Sequence, residues 1–401
     1  MFRKWRDSAA WLTLAWGAAG LLAAARADEP NAPVKRDLFA NDAVYHNHAS
    51  CVVECPNSDL LVAWYRGSGE RDADDVEILA ARLKKGQTTW GPVFPLIDTP
   101  GYPDCNPALL VGDDGSFWVF RPTILDHRWE GALLKFARAD ACPEGDAAPV
   151  WNREGVLHLT PVGLSEAIQA SLDRLPEEIR AHPRLGGYLD EVDARRDDEL
   201  YQRLGWMPRC RPVILSTGRW ILPLYTDTYS VSLMAYSDDR GATWNTGRMI
   251  PGIFAIQPAV VERSDGSLVA YCRNAGAGRR ILSATSNDGG VTWSEAIETT
   301  LPNPGAGVDA IRLASGKFVL VYNDTEIGRH SLAVALSNDE GRTWNPPRFL
   351  ERQPPDQGAF HYPSILQTRD GQIHVLYTAG KAHRGETIRH AVFHESWLGS
   401  E

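Results

Sequence analysis

Ser237-Asp238-Asp239-Arg240-Gly241-Ala242-Thr243-Trp244 recurs as Ser286-Asn287-Asp288-Gly289-Gly290-Val291-Thr292-Trp293 and again as Ser337-Asn338-Asp339-Glu340-Gly341-Arg342-Thr343-Trp344. The common pattern is Ser-x-Asp-x-Gly-x-Thr-Trp, and its tryptophans lie 49 and then 51 positions apart. Self-similarity at that period signals an array of supersecondary units. Each copy reads as a tight turn. Ser and Asp side chains bond the turn's own backbone, Gly takes the positive φ, and Trp is expected to cover its own hairpin with apolar area. The pattern marks structure and is not itself a set of reacting groups.

A second repeat runs through the whole chain. A turn followed by an apolar, aromatic-rich strand occurs at Asn57-Ser58-Asp59, Asp114-Gly115, Thr217-Gly218, Asp265-Gly266, Ser315-Gly316 and Asp370-Gly371, each preceded by another β-rich run. These are six hairpins by turn chemistry and residue type. Where the Trp pattern marks a second hairpin, the unit has four strands, and Trp90 and Trp151 end degenerate copies in the first two units. The expected fold is all-β: a six-bladed β-propeller of four-stranded antiparallel blades. One spacing departs from the rule, because Gly115 and Gly218 are 103 residues apart. Within residues 160–206 the apolar positions Leu164, Ile168, Leu172, Leu175 and Ile179, then Leu185, Leu189 and Val192, recur at three and four. That period predicts an amphipathic helical insert between blades two and three.

Residues 1–27 read as a signal peptide. Arg3, Lys4 and Arg6 precede the apolar stretch Ala9–Ala25, and Ala25-Arg26-Ala27 gives a small-x-small cleavage pattern. The expectation is a secreted or periplasmic protein whose propeller occupies 28–401, with no stable membrane span after cleavage. Net charge is −10 over the whole sequence, and the leader is basic. An acidic export does not suit nucleic acid as a partner. Six cysteines, Cys51, Cys55, Cys105, Cys142, Cys210 and Cys272, leave the pairing open. No Cys or His spacing suggests zinc, so neither metal nor cofactor is expected, and the chain is expected to be a monomer.

Strand direction sorts the candidate site. In a four-stranded antiparallel blade, the start of the inner strand, the end of the second strand and the loop to the third share one face. The Trp turns lie on the opposite face. The insert falls on the first face, where loops vary and ligands bind. Inner strands begin at His48-Ala49, Asn106-Pro107, Arg211-Pro212, Gln257-Pro258, Val308-Asp309 and Tyr362-Pro363. Second strands end at Arg66, Arg121, Asp227, Arg273, Asp324 and Ala379, and the loops add Glu70, Asp72, Asp74 and Arg329. Arg66, Arg121, Arg211, Arg273 and Arg329 are thus expected at one axial mouth, with Asp227 and Asp324 beside them. Arginines gathered in an acidic protein suit an anion, because guanidinium pairs carboxylate bidentately and stays charged. His48 and Tyr362 begin neighbouring inner strands once the ring closes. Either group can serve as nucleophile or acid/base. Glu70 and Asp72 follow Gly67-Ser68-Gly69, a setting for a mobile carboxylic acid.

With these features the chain resembles the sialidase superfamily, in particular its secreted bacterial members with Asp-box (BNR) repeats, over residues 45–397. The resemblance implies an exo-α-sialidase type of glycosidase acting on acidic glycans. It implies anion-binding roles for Arg273 and Arg329, a nucleophile at Tyr362, and an acid/base carboxyl at Asp72 or its rival Glu70. Two positions depart from the family. Asn47-His48-Ala49-Ser50 stands where the family has Arg-Ile-Pro, with Arg66 as a substitute arginine. Gln257 stands where the family pairs a glutamate with the tyrosine. A carbohydrate-binding propeller without hydrolysis, and a glycosidase or lyase on uronic-acid glycans using His48, are the alternative readings.

Overall fold

A computed structural model describes residues 32–40, 44–183, 185–381 and 384–399. The expected signal peptide and its cleavage point lie outside the described residues. Six antiparallel sheets form a six-bladed β-propeller. Blades 1, 2, 4 and 5 are each built in chain order from the axis outward. Blade 3 has a broken inner strand, Trp206–Pro208 followed by Val213–Ile214, both paired to Trp220–Thr226. Blade 6 runs Ala359–Gln367, Ile373–Lys381 and Arg384–Phe393, and takes its outer strand from the other end of the chain, Val34–Asp37. That pairing joins the chain's two ends in one sheet and covers what would be an open strand edge.

The repeated turns follow the hydrogen-bond logic of their residues. Asp239 Oδ1 accepts from Ser237 Oγ at 2.8 Å and from the Thr243 amide at 2.8 Å, and Oδ2 accepts from Thr243 Oγ1 at 2.6 Å. Asp288 and Asp339 do the same with Ser286 and Thr292, and with Ser337 and Thr343. Against burial, these donors pull Asp339 down to about 2. Gly341 has φ +85°, and a Cβ there would lie 1.9 Å from Tyr271 Oη in the preceding blade. The tryptophans correct the expectation that each covers its own hairpin. Trp244 of blade 3 packs on Phe120 of blade 2, and Trp344 of blade 5 on Tyr271 of blade 4. A β-hairpin cannot bury an indole by itself, so the half-buried ring packs against the neighbouring blade instead. Trp90 of blade 1 likewise donates to His390 of blade 6 at 3.2 Å.

The expected insert is helical: α1 (Leu164–Asp173), α2 (Glu177–Arg180), α3 (Gly186–Arg195) and α4 (Glu199–Arg203). Leu164, Ile168, Leu172, Leu189 and Val192 are buried in the core shared with blades 2 and 3. Tyr188 on α3 donates to the Asp227 carbonyl at 2.9 Å, so the insert braces the loop that follows the second strand of blade 3. No described helix is long and apolar enough to cross a membrane.

All six thiols are free and buried. Cys55 of blade 1 and Cys142 of blade 2 share a core cluster and hydrogen-bond each other, which lowers Cys55 and raises Cys142 from ordinary thiol values. Arg82 ties both loops, reaching Asp59 at 3.0 Å and the Gly145 carbonyl at 3.3 Å. Oxidised glutathione is expected to join this pair alone by thiol–disulfide exchange. Alkylation followed by mass spectrometry should then count four free thiols in place of six. A count that stays at six would show that the sulfurs cannot reach bonding distance.

Candidate active site

The inner strands share a local distortion. Ala49, Asn106, Gln257 and Tyr362 have φ of 56°, 40°, 55° and 46°. In blades 1, 4 and 6 the register breaks at this point, between His48 and Cys51, Ile256 and Ala259, and His361 and Ser364. A bulge adds a residue to one strand and re-aims its side chains. Asn106, Gln257 and Tyr362 are each followed by Pro, which has no amide to lose from the ladder. Positive φ at such residues costs about 1–3 kcal/mol and persists only where the surrounding fold imposes it. Here it turns Asn106, Gln257 and Tyr362 into a cavity of about 240 Å³ on the expected face.

Tyr362 is the most constrained group. Its hydroxyl oxygen accepts from Gln257 Nε2 at 3.0 Å and Arg273 Nη1 at 3.1 Å. Its ring lies 4.4 Å from the His48 ring, and the Arg209 and Arg329 guanidiniums stand 4.5 and 5.8 Å from its centroid. Gly307 backs the pair, since a Cβ there would lie 3.0 Å from Tyr362 Cδ1 and 3.1 Å from Gln257 Oε1. Arg329 is held by His361 Nδ1 at 2.7 Å and the Gly305 carbonyl at 3.0 Å. Arg273 Nε and Gln257 Oε1 are buried without a hydrogen-bond partner among the described residues. Burial lowers the affinity of Arg273 for its proton, but Tyr362 and Asp227 outweigh it and raise its pKa. The cavity therefore holds an unspent guanidinium edge, which suits an anion.

The histidines take opposite states. His46 pairs with Glu386, which overcomes burial and raises His46 above its ordinary value. His48 falls well below, first through burial and then through His361 and His46. It is a neutral imidazole with Nδ1 at 3.0 Å from Thr378 Oγ1. Among the carboxyls, Glu70 lines the cavity and accepts from Tyr65 Oη at 2.5 Å. Asp227 also lines it, raised to about 6 by burial, with Arg273 opposing. Among the described residues no group of three or more His, Cys, Asp and Glu is arranged to hold a metal.

The structure thus brings together His48, Glu70, Asp227, Gln257, Arg273, Arg329 and Tyr362. Five expected residues lie elsewhere. Arg66 sits over the Tyr45 ring at 4.1 Å. In blade 1 it is Tyr65, opposite His48, that holds the place Arg273 holds opposite Ile256, so the pleat turns Arg66 away. Arg121 is 1% exposed and pairs with Asp104 at 3.2 Å. Its strand continues to Ile124, so Arg121 is mid-strand and not at the end. Arg211 lies within the break in the blade 3 inner strand and faces Asp309; the buried Arg209, two residues earlier, reaches Tyr362 instead. Asp72 is exposed and turned to its own loop, accepting from the Glu70 amide at 3.2 Å, the chief cause of its lowered pKa. Asp324 accepts from Tyr322 Oη at 3.3 Å outside the cavity wall.

Sequence reasoning missed His46, Arg209, Tyr225, Trp129, His361 and Glu386. His361 was within reach, as the residue before the tyrosine. Glu386 was not, because it enters from the third strand of blade 6.

The BNR repeat-like domain family matches residues 202–375. An anhydrosialidase from Macrobdella decora is 26% identical over 188 residues, 40% of this chain and 23% of that protein. A sialidase from Micromonospora viridifaciens is 26% identical over 181 residues, 42% of this chain and 26% of that protein. The matched stretch spans about a quarter of each of these relatives. In shape, the leech intramolecular trans-sialidase structure superposes with a TM-score of 0.67 at 14% identity, over 91% of this chain and 71% of that one. That likeness speaks for the fold alone. The repeated turns, the blade count and these sequence matches together support a place for the chain among sialidases and BNR-repeat proteins.

Proposed function

We propose that this protein is a secreted or periplasmic glycoside hydrolase of the exo-α-sialidase type, cleaving a terminal acidic sugar from a glycan. The observation that carries this reading is the convergence of Arg273 and Arg329 on Tyr362, with one edge of Arg273 left without a partner. The two guanidiniums supply a seat for a sugar carboxylate. Tyr362 presents the oxygen nearest that seat. Tyrosine-dependent glycosidases are a known exception to the two-carboxylate rule. Gln257 fixes the phenol but cannot take its proton. The neutral His48 beside the ring can accept one through a bridging water.

The same neutral His48 favours one second reading, abstraction of a proton beside a uronate carboxylate with release of an unsaturated sugar. Sugar release from 4-methylumbelliferyl α-sialosides, uronides and acidic polysaccharides separates the two. Fluorescence from the sialoside is the expected result. Ultraviolet absorption of an unsaturated uronate, with the sialoside untouched, would move the assignment to His48. Tight binding of an acidic sugar with no turnover of any member would make the protein a carbohydrate-binding propeller.

A further inference from the structure

Four carboxyl groups stand in or near the cavity; Glu386 is paired with His46, and hydrogen bonds separate the other three. Glu70 Oε1 accepts from Tyr65 Oη at 2.5 Å, and Oε2 faces Arg71 Nη1 at 3.4 Å. Both oxygens are engaged, one by the Tyr65 phenol and the other by the Arg71 guanidinium. Asp72 is exposed and bonded within its own loop. Asp227 differs from both. It lines the cavity, and no hydrogen bond or ion pair reaches its side chain among the described residues. Tyr188 of α3 donates to its main-chain carbonyl, so the helical insert fixes the backbone that carries the carboxyl. The charged groups facing it are Arg273 and Arg71, Glu130 and Glu70, with the phenols of Tyr225 and Tyr188 also close.

We propose that Asp227 is the proton donor to the leaving group, and that Glu70 is a positioning residue acting through Tyr65. The assignment rests on the hydrolase reading above. In the step, the Asp227 carboxyl gives its proton to the glycosidic oxygen as the bond to the anomeric carbon breaks. The electron pair departs with the protonated alcohol. Water supplies the hydroxyl that ends on the sugar, and its remaining proton restores Asp227. Arg273 faces the carboxylate in between. Burial already favours the protonated acid, and environments that push neighbouring carboxyls apart divide acid from bystander.

The test compares one acidic sugar carried by two leaving groups, 4-methylumbelliferone and a second sugar. An aryl leaving group needs little protonation, whereas a sugar alcohol needs much. Asp227→Asn is expected to lose about 10²- to 10⁴-fold on the disaccharide and less than about tenfold on the aryl glycoside. Glu70→Gln should lose alike on both. In the wild type, disaccharide turnover should fall as pH rises through about 6, because Asp227 must carry its proton. Equal losses in Asp227→Asn on both substrates, or a selective loss in Glu70→Gln, would overturn the assignment while the hydrolase reading stands. A wild type inert on both substrates would remove the hydrolase reading, and the donor role with it. Carbon-13 carboxyl NMR of aspartate-labelled wild type adds a check that no variant's folding can spoil. An aspartate resonance titrating near 6 is expected, and its absence would also overturn the proposal.

Discussion

Tyr362→Phe is expected to lower turnover of an acidic sugar glycoside by about 10³-fold or more, while the Kd for the free sugar changes less than about tenfold. Losing a group that acts only in the transition state lowers kcat and leaves ground-state binding nearly intact. The substitution removes one oxygen from a ring that His48 and Arg209 hold in place, so the site's shape should survive. Arg273 and Arg329 remain to take the carboxylate. Single-turnover kinetics with binding measured by calorimetry reads both quantities. Gln257→Glu provides the converse. It puts a carboxylate where an amide now lies 3.0 Å from the phenol, and turnover should rise only if Tyr362 is present. Wild-type rates in Tyr362→Phe would sink the nucleophile assignment and turn attention to His48.

The second large effect is on stability. Asp104→Ala is expected to cost about 3–5 kcal/mol of folding free energy, because it strands a buried guanidinium. Asp104 and Arg121 are 0% and 1% exposed. Asp104 accepts from Thr123 Oγ1, and from Thr99 Oγ1 at 3.2 Å, as well as facing Arg121 at 3.2 Å. Replacing both members by apolar groups should recover most of the loss, since the pair's desolvation is then no longer paid for by either partner. Urea titration of the two variants reads the difference. A single-variant loss below about 1 kcal/mol would mean that water reaches Arg121, and that the pair is a surface bridge in effect.

Arg121 also shows where reading by strand ends goes wrong. Its place after Phe120 suggested the mouth of the propeller, but the strand runs three residues further. Arg66 fails for a different reason, a one-residue offset on a pleated strand, which reverses the direction of a side chain. Arg211 fails because the inner strand of blade 3 is broken between Pro208 and Val213, where Pro208 and Pro212 flank the interruption. By contrast His48, Gln257, Arg273, Arg329 and Tyr362 were placed from blade period and strand direction, and all line one cavity. The choice between Glu70 and Asp72 turned on hydrogen bonds within the loop, which no pattern of residue types reveals.

What the sequence determined by itself is therefore the repeat. Ser, Asp, Gly and Thr in the Trp-ended turns bond one another over a few residues, so their geometry is local and legible. Blade number, insert and site face follow from period and direction alone. Only the tertiary structure decided which side chains meet. Contacts such as Tyr362 with Gln257, or His46 with Glu386, join residues more than one hundred positions apart. They depend on bulges, strand breaks and the pairing of Val34–Asp37 with the last blade. Those features set direction and depth at the axis, and the charge state of each group follows from its depth and from the partners it meets there.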